Sequence, residues 1–303
     1  MSRIHEALKK AEQERTLSQP AQRVEVAPAV LEPPLESVSP SPTSYAGAAG
    51  TATILTPESL LTQSRRTDWR PDPKSMLFFS GEEHLSGMEE FRTLRSRLYQ
   101  LREKRSLSKL LITSPLPKEG KSFTAANLAQ VIVRQHGRRA LLVDADLRNP
   151  QLHDLLGAEP GPGLSEYLRS EMDEFSIIQR GPMENLFLIP AGRNDGNPAE
   201  LVANGRMKFL LNRLEPLFDW IIVDSPPAVA VSDPALIANY CDGVLLVVRA
   251  NSTPFDLAKK VRQEFSDKNL VGVVLNGMSE ISPYAQYYYS AYGKPNGKER
   301  VSS

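Results

Sequence analysis

Residues 110–122 read LLITSPLPKEGKS, a short apolar run that leads into a loop ending in Gly-Lys-Ser at 120–122. A helical segment, 122–136, follows and is stopped by Gly137. This order of strand, loop and helix is the one that a phosphate-binding loop requires. In such a loop, backbone N–H groups and the helix N-terminus hold phosphate oxygens, the lysine reaches the β and γ phosphates, and the serine hydroxyl binds magnesium.

The loop departs from the usual pattern at its start. The first glycine, expected five positions before Gly120, is replaced by Pro115. A surface turn that contains Gly-Lys-Ser by chance is the alternative, and the position of the loop between a strand and a helix argues against it. The residues predicted to bind the nucleotide are Pro117, Lys118, Glu119, Gly120, Lys121, Ser122 and Phe123.

Outward from the loop, short apolar runs bounded by turn residues alternate with helical segments. Such runs are typical of strands buried on both faces. The runs begin at 110, 141, 186, 220, 244 and 271, and the later helical segments are 206–218, 233–240 and 254–266. The pattern predicts an α/β fold with a doubly wound, mostly parallel sheet flanked by helices, whose ligands bind at the carboxyl ends of the strands.

Two of the predicted strands end in aspartates. The second run ends in Asp144-Ala-Asp146-Leu-Arg148, and the run from Trp220 ends in Asp224. Ordinary cap or turn aspartates are the alternative for each. Because these residues follow strands of one sheet, we expect a magnesium-nucleotide site at their common edge. The predicted cofactors are ATP and Mg²⁺, with Ser122, Asp144, Asp146 and Asp224 as metal ligands and Lys121, Asp144, Asp146 and Arg148 as catalytic residues.

Composition narrows the classes of function. Thirty-six basic and 36 acidic side chains cancel, so the broad cationic surface that non-specific nucleic-acid binding requires is lacking. The single cysteine cannot form an internal disulfide, and the start MSRIHEALKK has no apolar signal core. Apolar runs stay far below the about 20 residues needed to span a bilayer. We therefore expect a cytoplasmic protein that reaches the inner face of the membrane only through a partner.

The chain divides by composition into four parts. Residues 1–15 have the apolar spacing of a short amphipathic helix, which either frays or docks to a partner. Residues 16–80 are predicted to be a disordered linker rich in Pro and Ser, since nine of the 24 prolines lie within 16–75. An ordered domain is expected over 81–279, and a flexible tail over 280–303.

Two further features lie outside the loop and the strand ends. Glu89, Arg92 and Arg95 follow one another at three-residue spacing on a predicted amphipathic helix, where a solvated face is the default interpretation. Tyrosines are concentrated in the tail, which indicates either a kinase substrate or an aromatic packing patch. These tyrosines are Tyr284, Tyr287, Tyr288, Tyr289 and Tyr292.

The motifs together resemble a known family. SPLPKEGKS at 114–122, LLVDADLRNPQLH at 141–153, NPAEL at 197–201 and DWIIVDSPP at 219–227 are similar to the Walker A, Walker A′ and Walker B regions of bacterial tyrosine kinases, the BY-kinases. The resemblance covers residues 84–292 and implies the P-loop class shared with MinD and ParA ATPases. Those partitioning ATPases carry a signature lysine five positions before the loop lysine, and here that position is Leu116, which favours the kinase branch.

The resemblance implies a tyrosine autokinase that transfers the γ-phosphoryl group of ATP in trans to the five tail tyrosines. It also implies a ring of identical subunits formed through Glu89, Arg92 and Arg95, a membrane-embedded polysaccharide chain-length regulator as activator, and a tyrosine phosphatase as a further partner. The setting would be exopolysaccharide or capsule synthesis or export. The alternatives are a MinD/ParA-type ATPase switch and a catalytically weak nucleotide-binding scaffold.

One residue departs from the family pattern. BY-kinases usually have Pro-Gly-Glu-Gly-Lys where this chain has Lys118 in place of the first glycine. If that position takes a positive φ, the lysine costs on the order of 1 kcal/mol in backbone strain. If it is right-handed, Lys118 is free to approach the phosphates. The sequence leaves both conformations open.

Overall fold

The computed structural model of the protein describes residues 56–73, 75–79 and 87–278. These residues form a single, mostly parallel sheet with helices packed on it. In chain order the strands are β1 (Arg65–Arg66), β2 (Lys109–Thr113), β3 (Ala140–Asp144), β4 (Gln179–Arg180), β5 (Leu186–Ile189), β6 (Trp220–Asp224), β7 (Gly243–Arg249) and β8 (Leu270–Asn276). They lie in the order β1-β4-β5-β3-β6-β2-β7-β8. All neighbours are parallel except β4 and β5, so the predicted sheet is confirmed.

Helices cover both faces of the sheet. They are α1 (Pro57–Gln63), α2 (Met88–Lys104), α3 (Lys121–Val133), α4 (Leu152–Leu156), α5 (Leu164–Leu168), α6 (Pro198–Ala203), α7 (Arg206–Leu214), α8 (Asp233–Ala238) and α9 (Phe255–Glu264), with 3-10 turns at Glu215–Leu217 and Ser266–Lys268. Apolar residues of α2, α3 and α4 form one core, and those of α5 to α9 form the other. The expected helix over 206–218 ends early as a 3-10 turn, because Pro216 has no N–H with which to continue it.

The central strands bring the chemical residues to one edge. All residues of β2, β3 and β6 are buried, as their continuous apolar runs predict. In the ladder, Asp144 pairs with Asp224, and Ile112 of β2 is also opposite Asp224. The phosphate loop therefore begins at the level of the sheet where both aspartate-bearing strands end.

The predicted linker over 16–80 is wrong at its C-terminal end. Thr56 caps α1, β1 pairs with β4, and the Trp69 ring lies so close to Gly181 that a Cβ there would come within 2.2 Å of it. Met76 and Phe78 are buried in the core beside α2 and α3. These large apolar side chains bury enough surface to order a segment whose Pro and Ser content suggested a linker.

The remaining predicted boundaries involve residues outside the described ranges. The amphipathic helix over 1–15, most of the linker and the tail over 280–303 all lie there. Within the described ranges, none of the helices combines the length and the hydropathy that crossing a bilayer demands.

Candidate active site

The phosphate loop joins the end of β2 to the first turn of α3, as the sequence predicts. Gly120 is the N-cap of α3 and has φ +95°. The conformation favours glycine, and a Cβ at this position, 2.0 Å from Nδ2 of Asn276, would also displace the Asn276 side chain. Lys121 and Ser122 then occupy the first helical turn, where unpaired N–H groups and the helix dipole favour an anion.

The conformation of Lys118 decides between the two alternatives for this position. Its φ is +64°, so the residue is left-handed, and its side chain is exposed. A left-handed residue with a Cβ costs on the order of 1 kcal/mol. The strained conformation is therefore the one present, and the right-handed alternative is excluded.

Lys121 connects the loop to the aspartates. Its Nζ lies 2.8 Å from Oδ2 of Asp146 and 3.9 Å from Oδ2 of Asp224, and it donates to Oγ of Ser122 at 3.2 Å. Burial of the ammonium lowers its pKa, but the attraction of Asp224 and Asp146 outweighs burial and leaves the pKa above its usual value. Lys121 is thus a buried, fully charged cation between the two strand ends.

Asp144 has no exposed surface and caps a helix. Its Oδ2 accepts the N–H groups of Gln151 at 3.1 Å and Leu152 at 3.0 Å, and its Oδ1 accepts the N–H of Asp146 at 3.3 Å. Burial and the nearby charge of Asp224 raise the pKa of Asp144 despite these hydrogen bonds. Asp144 therefore caps α4 as well as lying at the site.

Asp146 and Asp224 have fewer partners. Asp146 accepts one N–H, from Asn149 at 3.0 Å, and its other oxygen faces Lys121. Asp224 is fully buried, and neither of its oxygens has a hydrogen-bond partner. Burial raises the pKa of Asp224, and the Lys121 ammonium lowers it in part.

These residues fit a nucleotide-bound Mg²⁺. The buried Asp224 carboxylate and the neighbouring Ser122 hydroxyl supply the hard oxygen ligands that this ion prefers. No cluster of three or more His, Cys, Asp or Glu side chains forms a ready metal site in the described part of the chain. Phosphate oxygens and water would therefore complete the coordination, as is usual for Mg²⁺ at nucleotide sites.

Arg148 is turned toward α8. Its Nε and Nη2 lie 2.9 Å and 3.3 Å from the two oxygens of Asp233, which is itself buried. This two-pronged contact is a structural salt bridge. In this conformation the guanidinium orders the turn after β3 against α8.

The residues predicted to form subunit contacts lie on α2. Glu89 and Arg92 form an ion pair within the helix; Glu89 is exposed and Arg92 is partly exposed, as expected for a solvated face. Arg95 instead points at α3, where its Nη1 donates to the carbonyl of Val131 at 2.8 Å. The three residues therefore do not share one free surface, and the tail tyrosines lie outside the described residues.

Three residues that touch the phosphate loop escaped the sequence analysis. Nη1 of Arg249 donates to the Lys118 carbonyl at 3.1 Å, Nδ2 of Asn276 donates to the Glu119 carbonyl at 2.9 Å, and the Thr253 hydroxyl donates to the Glu119 carboxylate. They lie at or just after the ends of β7 and β8. The sequence feature that could have identified them is their position after predicted strands, because the carboxyl ends of parallel strands lie at one edge of the sheet.

Comparison with known proteins gives a consistent set of relatives. No protein-family model matches the chain. Tyrosine-protein kinase YwqD of Bacillus subtilis is 34% identical over 203 residues, which are 66% of this chain and 85% of that protein. CpsD of Streptococcus agalactiae is 33% identical over 63% of this chain and 84% of its own length. The putative tyrosine-protein kinase EpsB of Ralstonia solanacearum is 34% identical over 68% of this chain but only 28% of its own length.

Solved structures agree. The kinase domain of Escherichia coli tyrosine kinase ETK superposes with a TM-score of 0.65 at 30% identity, covering 76% of this chain and 90% of that one. The cell-division ATPase MinD of Pyrococcus furiosus, at 24% identity and a TM-score of 0.50 over 61% of this chain and 79% of its own, shares the fold. On its motifs, its fold and its identity to YwqD and CpsD over most of their length, this chain belongs to the bacterial tyrosine kinase family, built on the MinD-like P-loop fold.

Proposed function

We propose that this protein transfers the γ-phosphoryl group of ATP to tyrosines of its own C-terminal tail. The observation that carries the proposal is that Nζ of Lys121 lies within 4 Å of the carboxylates of both Asp146 and Asp224, directly below the phosphate loop. A buried cation held between two strand ends beside a helix N-terminus suits the charge distribution of a triphosphate.

Each residue of the site has a proposed role in the transfer. Lys121 moves from the carboxylates to the β and γ phosphates and, with the loop N–H groups, stabilises the charge that develops on them. Ser122 and Asp224, assisted by Asp144 and Asp146, would hold Mg²⁺, which neutralises phosphate charge when it is bound. The site therefore needs no covalent intermediate on the protein, only positioned charges.

Removal of the acceptor proton falls to an aspartate. A tyrosine phenol has a reference pKa near 10, so a base must accept its proton as the phosphoryl group is transferred. The candidates for this base are Asp144 and Asp146, which lie at and just after the end of β3. Both oxygens of Asp144 accept backbone N–H groups. Asp146 has one oxygen committed to Asn149 and the other facing Lys121, and it is therefore the proposed base.

The acceptor and the partners are proposed from the family resemblance. The five tail tyrosines, Tyr284 to Tyr292, would enter the site of a neighbouring subunit in a ring supported by Glu89 and Arg92. A membrane-embedded polysaccharide chain-length regulator would recruit and activate the protein at the inner face of the membrane, and a tyrosine phosphatase would reverse the reaction. The name of one relative, from Klebsiella pneumoniae, places it in a cps region, which supports a role in capsule or exopolysaccharide synthesis.

Mapping of phosphate by mass spectrometry tests the reaction. The purified protein incubated with ATP and magnesium is expected to carry phosphotyrosine between Tyr284 and Tyr292. Release of phosphate without phosphotyrosine would indicate a MinD-type ATPase instead, and binding without turnover would indicate a scaffold.

A mixing experiment tests transfer in trans. One variant carries Lys121→Met with an intact tail, and the other carries an intact site with the five tail tyrosines changed to phenylalanine. Phosphotyrosine is expected on the Lys121→Met chain only when the two are mixed. Its absence from the mixture, while the wild-type protein is phosphorylated, would contradict transfer between subunits.

A further inference from the structure

Glu119 is a buried carboxylate inside a loop that should bind an anion. Only 3% of its surface is exposed, and its charge has the same sign as the phosphates. Its two oxygens have separate partners within the protein. Oε2 accepts the N–H of Leu116 at 2.9 Å, and Oε1 accepts the hydroxyl of Thr253. Glu119 therefore braces the loop from within, because both oxygens are engaged by protein groups.

Thr253 is the connection between that brace and the rest of the fold. It lies between β7 and α9, and its Oγ accepts the N–H of Arg249 at 3.1 Å. A carboxylate can only accept, so the single hydroxyl proton of Thr253 must be donated to Glu119. The direction of both hydrogen bonds is thus fixed, and the bond to the charged partner is the stronger kind.

Two further contacts from the same sheet edge orient the loop backbone. Arg249 holds the Lys118 carbonyl, and Asn276 holds the Glu119 carbonyl. In a trans peptide, C=O and the following N–H point in opposite directions. The N–H groups of Glu119 and Gly120 consequently point away from Arg249 and Asn276.

We propose that Thr253 is a positioning residue for the phosphate loop, which acts through Glu119 to keep the loop N–H groups oriented for ATP. The inference rests on the proposed function, since it assumes that the loop binds the nucleotide. Thr253 is not proposed to touch the nucleotide. Its predicted effect is therefore on the affinity for ATP rather than on the transfer step.

A matched pair of variants tests this role. Thr253→Val keeps the shape of the side chain and removes the hydroxyl, whereas Thr253→Ser keeps the hydroxyl. Because a hydrogen bond to a charged group is lost, the KM for ATP in magnesium-dependent autophosphorylation is expected to rise about tenfold for Thr253→Val. The expected change is within about twofold for Thr253→Ser, and kcat of both variants at saturating ATP is expected to stay within about twofold of wild type.

The same substitution in a Glu119→Ala background separates positioning from a general loss of structure. If Thr253 acts through Glu119, Thr253→Val changes the dissociation constant for magnesium-ATP by less than about twofold there. Equal ATP affinity of wild type and Thr253→Val would overturn the role of Thr253 and leave the proposed function standing. The same result would follow if Thr253→Val lowered ATP affinity equally in the wild-type and Glu119→Ala backgrounds. Failure of the wild-type protein to bind ATP would overturn the proposed function and this role together, whereas ATP binding without phosphotyrosine would overturn only the former.

Discussion

The strand ends and the phosphate loop lie side by side but are held in place in different ways. Asp144 and Asp224 face each other because β3 and β6 pair in register, and each aspartate ends an apolar run that is continuous in the sequence. The loop keeps its conformation through Arg249, Thr253 and Asn276, which are more than 120 residues away along the chain. Strand pairing thus positions the strand ends, whereas side-chain contacts with residues distant in sequence position the phosphate loop.

The largest effect is expected where the two regions meet, at Lys121. Replacement of Lys121 by methionine removes the cation that contacts both strand ends and is predicted to reach the phosphates. We expect tail phosphorylation to fall at least a hundredfold, as measured by phosphotyrosine formed per minute. Lys208→Met, which changes an exposed lysine of α7, serves as the control. Comparable activity of the two variants would show that the regions do not form one site.

A smaller effect is expected at the strand ends, as a dependence of stability on pH. Burial raises the pKa of Asp144 in the folded protein above its value in the unfolded chain. The folded state therefore binds more protons between those two pKa values, and stability is lost as the pH rises through that interval. We expect the free energy of unfolding of the nucleotide-free protein to fall by about 1–3 kcal/mol between pH 5 and pH 8.

Asp144→Asn should reduce this slope, because the amide does not titrate and keeps an oxygen that can accept from Leu152. The measurement is urea unfolding at a series of pH values, with the exposed Asp256→Asn as the control. A slope that Asp144→Asn leaves unchanged would show that the raised pKa of Asp144 is not the source of the pH dependence.

The smallest effect is expected within the loop, at Lys118. Lys118→Gly removes about 1 kcal/mol of left-handed strain but gives the unfolded chain more freedom, which offsets part of that gain. We therefore expect a net gain of at most about 0.5 kcal/mol in the free energy of unfolding. Lys118→Ala keeps the Cβ and should give no gain. Denaturant unfolding of the two variants measures the difference, and equal stability of the glycine and alanine variants would contradict the strain.

The same contrast explains what could be predicted from the sequence. Runs of apolar residues predict the parallel sheet, and the motifs at the ends of those runs predict that Lys121, Asp146 and Asp224 lie at one edge of it. The contacts of Thr253 and Asn276 could not be predicted, because they depend on where β7 and β8 end relative to a loop far away in sequence. The folded segment around Trp69 and Phe78 was missed for a related reason, since a few large apolar side chains outweighed a composition typical of linkers.

Calorimetric titration of the purified protein with ATP, with and without magnesium, tests most directly whether the loop and the strand ends form one nucleotide site. We expect saturable heat at a single site when magnesium is present, and affinity at least tenfold lower when magnesium is chelated or Lys121 is replaced by methionine. Absence of heat from the wild-type protein, or the same affinity after Lys121→Met, would contradict the site described above.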